Sequence, residues 1–200
     1  MRDAGDAKKQ VSALGQTRRK LAEAKFFFAL VKRVEAAGPI TEEQLDDEAT
    51  YFLSALVGAT YSVLQYLGKE GKRALRAPRD PKLALHGDSL EEQIAAINGR
   101  NGLLYDDPGP ARGSRGRGLR HLYVHHKMVD AQHYEPTIGT LGSAPLGRLR
   151  FGAGEIVRSL YVTDPRTDSP VLIVPFMEHH LRELVQLVAR WEHDIRSLSE

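Results

Sequence analysis

Arginine and histidine are concentrated in one stretch of the chain, between Pro108 and Val129. This stretch holds three histidines and no acidic residue, and its five basic residues are Arg112, Arg115, Arg117, Arg120 and Lys127. Because the formal net charge of the whole chain is only +2, the stretch is a local positive field that attracts phosphate oxygens. Glycines alternate with the first three arginines, so a flexible loop can lay guanidinium groups along a nucleic-acid backbone. We therefore expect RNA to bind at Arg112, Arg115, Arg117 and Lys127, with a solvated surface loop as the alternative.

The segment after the glycine-rich loop predicts a helix that carries three candidate catalytic residues. On a helical wheel, one arc of about 120° holds the apolar stripe, and His126 lies in its middle; the stripe is Leu119, Leu122, Tyr123, His126 and Val129. His126 is therefore expected in the core, whereas His121 and His125 share another face. Imidazole exchanges a proton near neutral pH, and guanidinium binds phosphate oxygens as a fork. Arg120, His121 and His125 are thus the candidates for function.

The spacing of His121 and His125 also suits a metal ion, since two imidazoles four residues apart on a helix can bind zinc together. Further ligands would have to come from the sequence Glu178-His179-His180 near the C-terminus. The positive charge of Arg120 and of the arginine loop disfavours a cation there. We therefore predict no metal ligands and no cofactor, and we expect surface or helix-capping roles for His179 and His180.

The periodicity of apolar residues predicts a mainly α-helical bundle. A face of small residues, Ser54, Gly58 and Ser62, permits another helix to approach closely, while Tyr51 is expected in the core with its apolar neighbours. The predicted helices run over 17–37, 41–67, 89–97, 119–133 and 176–198, and a long loop is expected over 98–118.

A small β-hairpin is predicted near the C-terminus, inserted at about residues 148–174. Two β-branched runs, Ile156–Val162 and Val171–Val174, flank the turn-forming sequence Asp164-Pro165-Arg166-Thr167-Asp168. Two hundred residues suit one domain. We expect a flexible segment over 1–16 and a single helical domain over 17–200.

Composition narrows the possible classes of protein. With 42% hydrophobic and 27% charged residues the chain can build a core, and with no cysteine it has neither disulfides nor a thiol nucleophile. The polar N-terminus lacks the apolar segment of a signal peptide. The uncharged stretch Ala49–Gly68 is diluted by polar residues and tyrosines, which favours a buried helix over a membrane span. The expected location is the cytoplasm, without membrane contact.

The segment Arg120-His121-Leu122-Tyr123-Val124-His125 resembles the Arg-x4-6-His motif of HEPN domains, and the ending Val124-His125-His126 is similar to that group as well. The long predicted helix containing the sequence DDEATYFLSALVGATYSVLQYL also resembles the second helix of HEPN bundles. The resemblance covers about residues 17–135 and the last helix. It departs from the family at His121, where asparagine or aspartate is usual, and in the C-terminal hairpin.

The resemblance implies a metal-independent endoribonuclease, in the setting of a toxin or defence nuclease that an antitoxin protein can neutralise. In such an enzyme His125 would accept the proton of a ribose 2′-hydroxyl, and Arg120 would stabilise the charge that develops on the phosphate. These two residues are about 140° apart on an ideal helix. A homodimer solves this problem, because it places two copies of the pair around one cleft. The alternative is a non-catalytic HEPN-like dimer that binds RNA or a partner protein.

Overall fold

A computed structural model describes residues 13–37, 42–76, 81–105, 118–125, 131–134 and 159–197. The described part is mainly helical and carries a small antiparallel sheet, which confirms the predicted fold class. The elements in chain order are α1 (Gly15–Ala37), α2 (Glu42–Arg76), α3 (Pro81–Arg100), α4 (Gly102–Tyr105), α5 (Leu119–His125), β1 (Gln132–Tyr134), β2 (Ser159–Thr163), β3 (Pro170–Leu172) and α6 (Ile173–Ser197).

Helices α1 and α2 form the central antiparallel pair of the bundle. The start of α1 lies against the second half of α2, where Glu70 accepts hydrogen bonds from the backbone nitrogens of Gln16 and Thr17 at 3.0 and 2.9 Å. Its carboxylate also accepts the Thr17 hydroxyl at 2.7 Å. The first backbone N–H groups of a helix have no partner within the helix. A side chain 53 residues away therefore caps α1 and aligns the two helices.

Helix α6 crosses this pair and closes the core. Arg18 forms an ion pair with Glu192, and the indole nitrogen of Trp191 donates to the side-chain oxygen of Gln93 on α3 at 3.2 Å. Trp191 is almost completely buried, and its single polar group is satisfied across the bundle, as buried tryptophan requires. The core of the described residues includes Leu21, Val31, Leu53, Leu56, Val63, Leu67, Leu184, Val188 and Trp191.

The three strands form one antiparallel sheet in the order β1-β2-β3. Gln132 pairs with Tyr161, and Tyr161 pairs with Leu172 on the other side. Two side chains tie the sheet to the helices: Glu35 of α1 accepts the Leu160 N–H at 3.0 Å, and Thr50 of α2 accepts the Ala131 N–H at 2.9 Å.

The predicted hairpin is confirmed in β2 and β3, and its turn is held by Asp164. The carboxylate of Asp164 accepts the backbone N–H and the guanidinium of Arg166, while its backbone carbonyl accepts the N–H groups of Thr167 and Asp168. Asp168 has a φ of 59°, a left-handed conformation that aspartate tolerates better than most residues. The first part of the predicted insertion, 148–158, lies outside the described residues.

Helices α2 and α3 are longer than predicted. Gly68 was expected to end α2, but the helix continues to Arg76. A Cβ at Gly68 would lie 3.5 Å from Ile94, and one at Gly71 would lie 2.5 Å from Leu90. Gly71 therefore permits the close approach of α3, whereas a side chain at Gly68 would make an ordinary contact, and neither glycine ends the helix. Helix α3 begins at Pro81, which suits a first helical turn, and runs to Arg100. The predicted loop over 98–118 is wrong at its start, because α4 follows at once.

The predicted helix over 119–133 is wrong at its end. Helix α5 ends at His125, and residues 132–134 form strand β1. Hydrogen bonding to β2 decides the conformation of Gln132 and His133, and such a tertiary partner overrides a weak helical pattern. Residues 126–130 lie outside the described part.

Two further expectations differ from the structure. Val174 belongs to α6, which begins at Ile173, and not to the hairpin. Tyr51 is 59% exposed instead of buried.

Among the helices that the structure describes, none has both the length and the hydropathy that a membrane span requires.

Candidate functional site

Arg120 lies in the first turn of α5, where its guanidinium covers the ring of Tyr61 from α2. The distance from Cζ to the ring centroid is 3.6 Å. At this distance the guanidinium and ring planes must be nearly parallel, because a guanidinium nitrogen that pointed at the ring would clash with it. A stacked guanidinium keeps its N–H groups in its own plane, directed away from the ring. Arg120 is partly exposed, and no carboxylate among the described residues pairs with it.

Tyr61 itself rests against Tyr105, the last residue of α4. The ring centroids are 5.7 Å apart, and the planes are inclined by 50°. Such a tilted contact suits the charge distribution of two aromatic rings better than a face-to-face stack does. Helices α2, α4 and α5 therefore meet through Arg120, Tyr61 and Tyr105.

The hydroxyl of Tyr105 reaches α6, where it lies 2.6 Å from Nε2 of His180. His180 is fully buried, and its ring also contacts the Tyr105 ring edge-on at 5.4 Å between centroids. The other ring nitrogen, Nδ1, has no hydrogen-bond partner among the described atoms, and its distance to Oε2 of Glu183 is 3.9 Å. With the Nδ1 proton on the side of this carboxylate, Nε2 accepts the Tyr105 hydroxyl.

Glu183 connects this buried pair to the surface. Its Oε2 accepts the side-chain amide of Asn101 at 3.1 Å, and its Oε1 accepts Arg100 at 3.1 Å. Asn101 also donates to the carbonyl of Ile97 at 2.9 Å, which fixes the amide at the end of α3. We call the series Arg120, Tyr61, Tyr105, His180 and Glu183 the aromatic relay; its last step, from His180 to Glu183, is an electrostatic contact at 3.9 Å and not a hydrogen bond.

Three ionisable groups of the aromatic relay, Tyr105, His180 and Glu183, have shifted pKa values. Burial lowers the pKa of His180 to about 4, although the nearby Glu183 carboxylate opposes this shift, so the imidazole is neutral at physiological pH. Burial also raises the pKa of Tyr105 well above its ordinary value, which keeps the hydroxyl protonated. For Glu183, burial raises the pKa, but hydrogen bonds from Asn101 and Arg100 outweigh this effect and hold the pKa below its ordinary value.

The other sequence-predicted residues are placed only in part. His121 and His125 both lie on α5 with Arg120; His121 is partly exposed, and the His125 side chain is outside the described part. The predicted RNA-binding residues Arg112, Arg115, Arg117 and Lys127 and the predicted core residue His126 also lie outside it.

Sequence reasoning missed Tyr61, Tyr105 and His180. His180 was expected in a surface or capping role, and this expectation is wrong, because the residue is 0% exposed. A signal for it was present in the helical wheel. His180 lies three residues after Met177 and four before Leu184, and both of these are buried. For Tyr61 and Tyr105 no such signal exists, since their partners come from distant parts of the chain.

Within the described ranges, no three histidine, aspartate or glutamate side chains lie close enough together to hold a metal ion. His179 of the alternative metal site is exposed, while His180 is turned to Tyr105.

Comparison with protein-family models, with curated proteins and with solved structures found no match to this chain.

Proposed function

We propose that this protein is a metal-independent endoribonuclease of the HEPN type that cleaves RNA by attack of the ribose 2′-hydroxyl. One observation carries the proposal: the guanidinium of Arg120 is stacked on Tyr61, partly exposed, and not neutralised by any described carboxylate. An arginine held in this way can offer its N–H fork to a phosphate. His125 follows on the same helix, five residues later.

The proposed reaction uses these two residues in different roles. The neutral imidazole of His125 takes the proton from the 2′-hydroxyl, since its ordinary pKa near 6.5 suits a general base at neutral pH. The 2′-oxygen then attacks the adjacent phosphorus, the bond from phosphorus to the 5′-oxygen of the next nucleotide breaks, and this oxygen takes a proton from His121 or from water. Arg120 stabilises the negative charge that builds on the phosphate oxygens. The products are a 2′,3′-cyclic phosphate and a 5′-hydroxyl end, and His121 lies beside the pair as a further proton donor or acceptor.

We further propose that two protomers form the active site together, with α5 near the two-fold axis. On an ideal helix the side chains of Arg120 and His125 are about 140° apart, so within one chain they point in different directions. Helix α2 offers a face for a second copy beside Arg120: Gly58 is exposed, and among the described residues nothing lies within 4 Å of a Cβ built there. The hydroxyl of Ser62 is bonded to the Gly58 carbonyl at 2.9 Å. No charged residue occurs between Ala49 and Gly68, so burial of this face against a second copy would remove no charged group of this segment from water.

RNA is the proposed substrate and the arginine-rich loop its further contact. Arg112, Arg115 and Arg117 carry charge but no group that transfers a proton near neutral pH, so they would neutralise phosphates together with Lys127. A cytoplasmic toxin or defence nuclease, neutralised by an antitoxin protein, is the setting that the HEPN resemblance implies.

Cleavage of a short RNA in single-turnover conditions tests the proposal directly. Arg120→Ala and His125→Ala should each lower the rate by about a hundredfold or more, which is the usual size of electrostatic and acid–base contributions. Chelation of divalent metals should leave the rate unchanged. RNA with a 2′-O-methyl group at the cleaved position should bind but stay intact, because its 2′-oxygen has no proton to give.

A matched control is His193→Gln, at an exposed histidine of α6, which should cut RNA at the parent rate. Loss of cleavage with EDTA, or cleavage that survives both substitutions, would contradict the proposed mechanism. A parent protein that binds RNA or a partner protein but never cuts would instead establish the non-catalytic alternative.

A further inference from the structure

We propose that Tyr61 and Tyr105 are positioning residues for Arg120, and that the buried contact of Tyr105 with His180 anchors them. This inference rests on the proposed function, because it concerns how the charge-stabilising arginine is held at the site. It follows from the aromatic relay, which extends from the partly exposed guanidinium on α5 to the fully buried imidazole on α6.

Stacking solves a specific problem for an arginine that must bind phosphate. A carboxylate partner would also hold the side chain, but it would occupy the N–H fork and neutralise the charge. The Tyr61 ring uses only the flat face of the guanidinium, at 3.6 Å from Cζ. It therefore restricts the rotamers of Arg120 while the N–H edges stay available to the substrate.

Tyr61 can restrict Arg120 only if its own ring is held. The ring of Tyr105 packs against the Tyr61 ring at 5.7 Å between centroids and lies between Tyr61 and the buried His180. Tyr105 is in turn fixed at its hydroxyl, which His180 accepts at 2.6 Å. Since the pKa of His180 is lowered and that of Tyr105 is raised, both groups are neutral, and the hydrogen bond between them does not change near neutral pH.

Polar side chains continue from the buried pair to the end of α3. Glu183 faces Nδ1 of His180 at 3.9 Å and is itself held by Asn101 and Arg100. Because Nδ1 of His180 has no hydrogen-bond partner among the described atoms, Glu183 acts on His180 through its charge, and the hydrogen-bonded part of the anchor is the contact of Tyr105 with His180. Helices α2, α4, α5 and α6 thus contribute to the placement of one guanidinium.

The test compares two substitutions of Tyr61, which is partly exposed and not required to fill the core. Tyr61→Phe keeps the aromatic face under Arg120, whereas Tyr61→Leu replaces it with a smaller apolar side chain. We expect Tyr61→Leu to lower the single-turnover rate at saturating RNA by about tenfold, and Tyr61→Phe to stay within about twofold of the parent. Arg120→Ala should cost much less in the Tyr61→Leu background than in the parent, because the two residues act as one unit.

A second readout does not depend on catalysis. In the NMR spectrum of the full chain, the Nε–H and Cδ–H signals of Arg120 should carry a ring-current shift from Tyr61, which Tyr61→Phe retains and Tyr61→Leu abolishes. Tyr105→Phe keeps both rings but removes the anchoring hydroxyl. It should reduce this shift and lower the cleavage rate in parallel.

The outcomes separate this inference from the proposed function. If Tyr61→Leu cuts RNA as fast as the parent, or if Tyr61→Phe is as slow as Tyr61→Leu, the positioning role is wrong even though the enzyme is a ribonuclease. If the parent never cuts RNA, the proposed function fails, and the ring-current shifts alone decide whether the relay holds Arg120. Unshifted Arg120 signals in the parent would overturn the inference.

Discussion

At the scale of single residues, His180 is an ionisable side chain enclosed within the bundle. It is fully buried, its pKa is lowered to about 4, and Glu183, Tyr105 and His179 are the ionisable groups near it. In the unfolded chain its pKa returns to about 6.5. Between these two values the unfolded state binds a proton that the folded state does not, so the free energy of unfolding falls as the pH falls.

The expected size of this effect can be isolated by comparing the parent with His180→Gln, whose amide oxygen can still accept the Tyr105 hydroxyl. Between pH 7.5 and pH 5.0 the parent should lose about 2 kcal/mol more of its unfolding free energy than the variant, from 1.4 kcal/mol for each pH unit below 6.5. Denaturant unfolding at several pH values measures the difference. The carboxylate of Glu183 does not interfere, because its lowered pKa places its titration in more acidic solution.

His193→Gln serves as the control for this measurement, because His193 lies exposed on the same helix. Its pH dependence should match that of the parent. Identical slopes for the parent and His180→Gln would mean that His180 is not neutral in the folded protein.

At the scale of elements, alanine substitutions at the two glycines of α2 that face α3 should change the stability of the protein in opposite directions. A Cβ at Gly68 meets Ile94 at an ordinary 3.5 Å, so Gly68→Ala should stabilise the protein by about 0.5–1 kcal/mol through helix propensity. A Cβ at Gly71 would lie 2.5 Å from Leu90, which is fully buried and has little room to move. Overpacking there costs about 1–3 kcal/mol, which exceeds the gain in propensity.

Denaturant unfolding of the two alanine variants measures this contrast. We expect Gly68→Ala to raise the unfolding free energy and Gly71→Ala to lower it. Equal stabilisation by both variants would show that Leu90 moves to accommodate the added methyl group. The packing of α3 against α2 would then not require glycine at position 71.

At the scale of the whole molecule, the proposed dimer depends on the small-residue face of α2. No described residue lies within 4 Å of a Cβ at Gly58, so the long charged side chain of Gly58→Arg should not destabilise the fold of one protomer. In a dimer that packs this face against a second copy, the same arginine would be buried without a partner. We expect light scattering to show a dimer for the parent and a monomer for Gly58→Arg.

Ala189→Arg is the matched control, since Ala189 is exposed on α6 and belongs to another face. It should stay dimeric. If Gly58→Arg is also dimeric, the face lies outside the interface, and if the parent is a strict monomer, a site composed of two protomers is wrong.

The sequence alone determined the helical bundle, because its main signal is local. Apolar residues repeat with helical spacing in α1 and α6, and the observed bounds differ from the predicted ones by two and three residues at their starts. The hairpin was equally predictable, since Asp164 and its neighbours form a turn from short-range hydrogen bonds. Arg120 could be predicted as a candidate for a similar reason, because its charge and its spacing from His125 are both contained in a segment of six consecutive residues.

The surroundings of Arg120 could not be predicted from local sequence patterns. Tyr61 precedes it by 59 positions, and Tyr105 and His180 are 75 positions apart, so no local pattern relates them. Their meeting depends on how four helices pack, and a single sequence does not reveal side-chain contacts between distant elements. The same reason explains strand β1, in which residues 132–134 adopt their conformation from pairing with β2. Local periodicity specifies each helix, whereas the burial and hydrogen bonding of residues far apart in the chain specify the site.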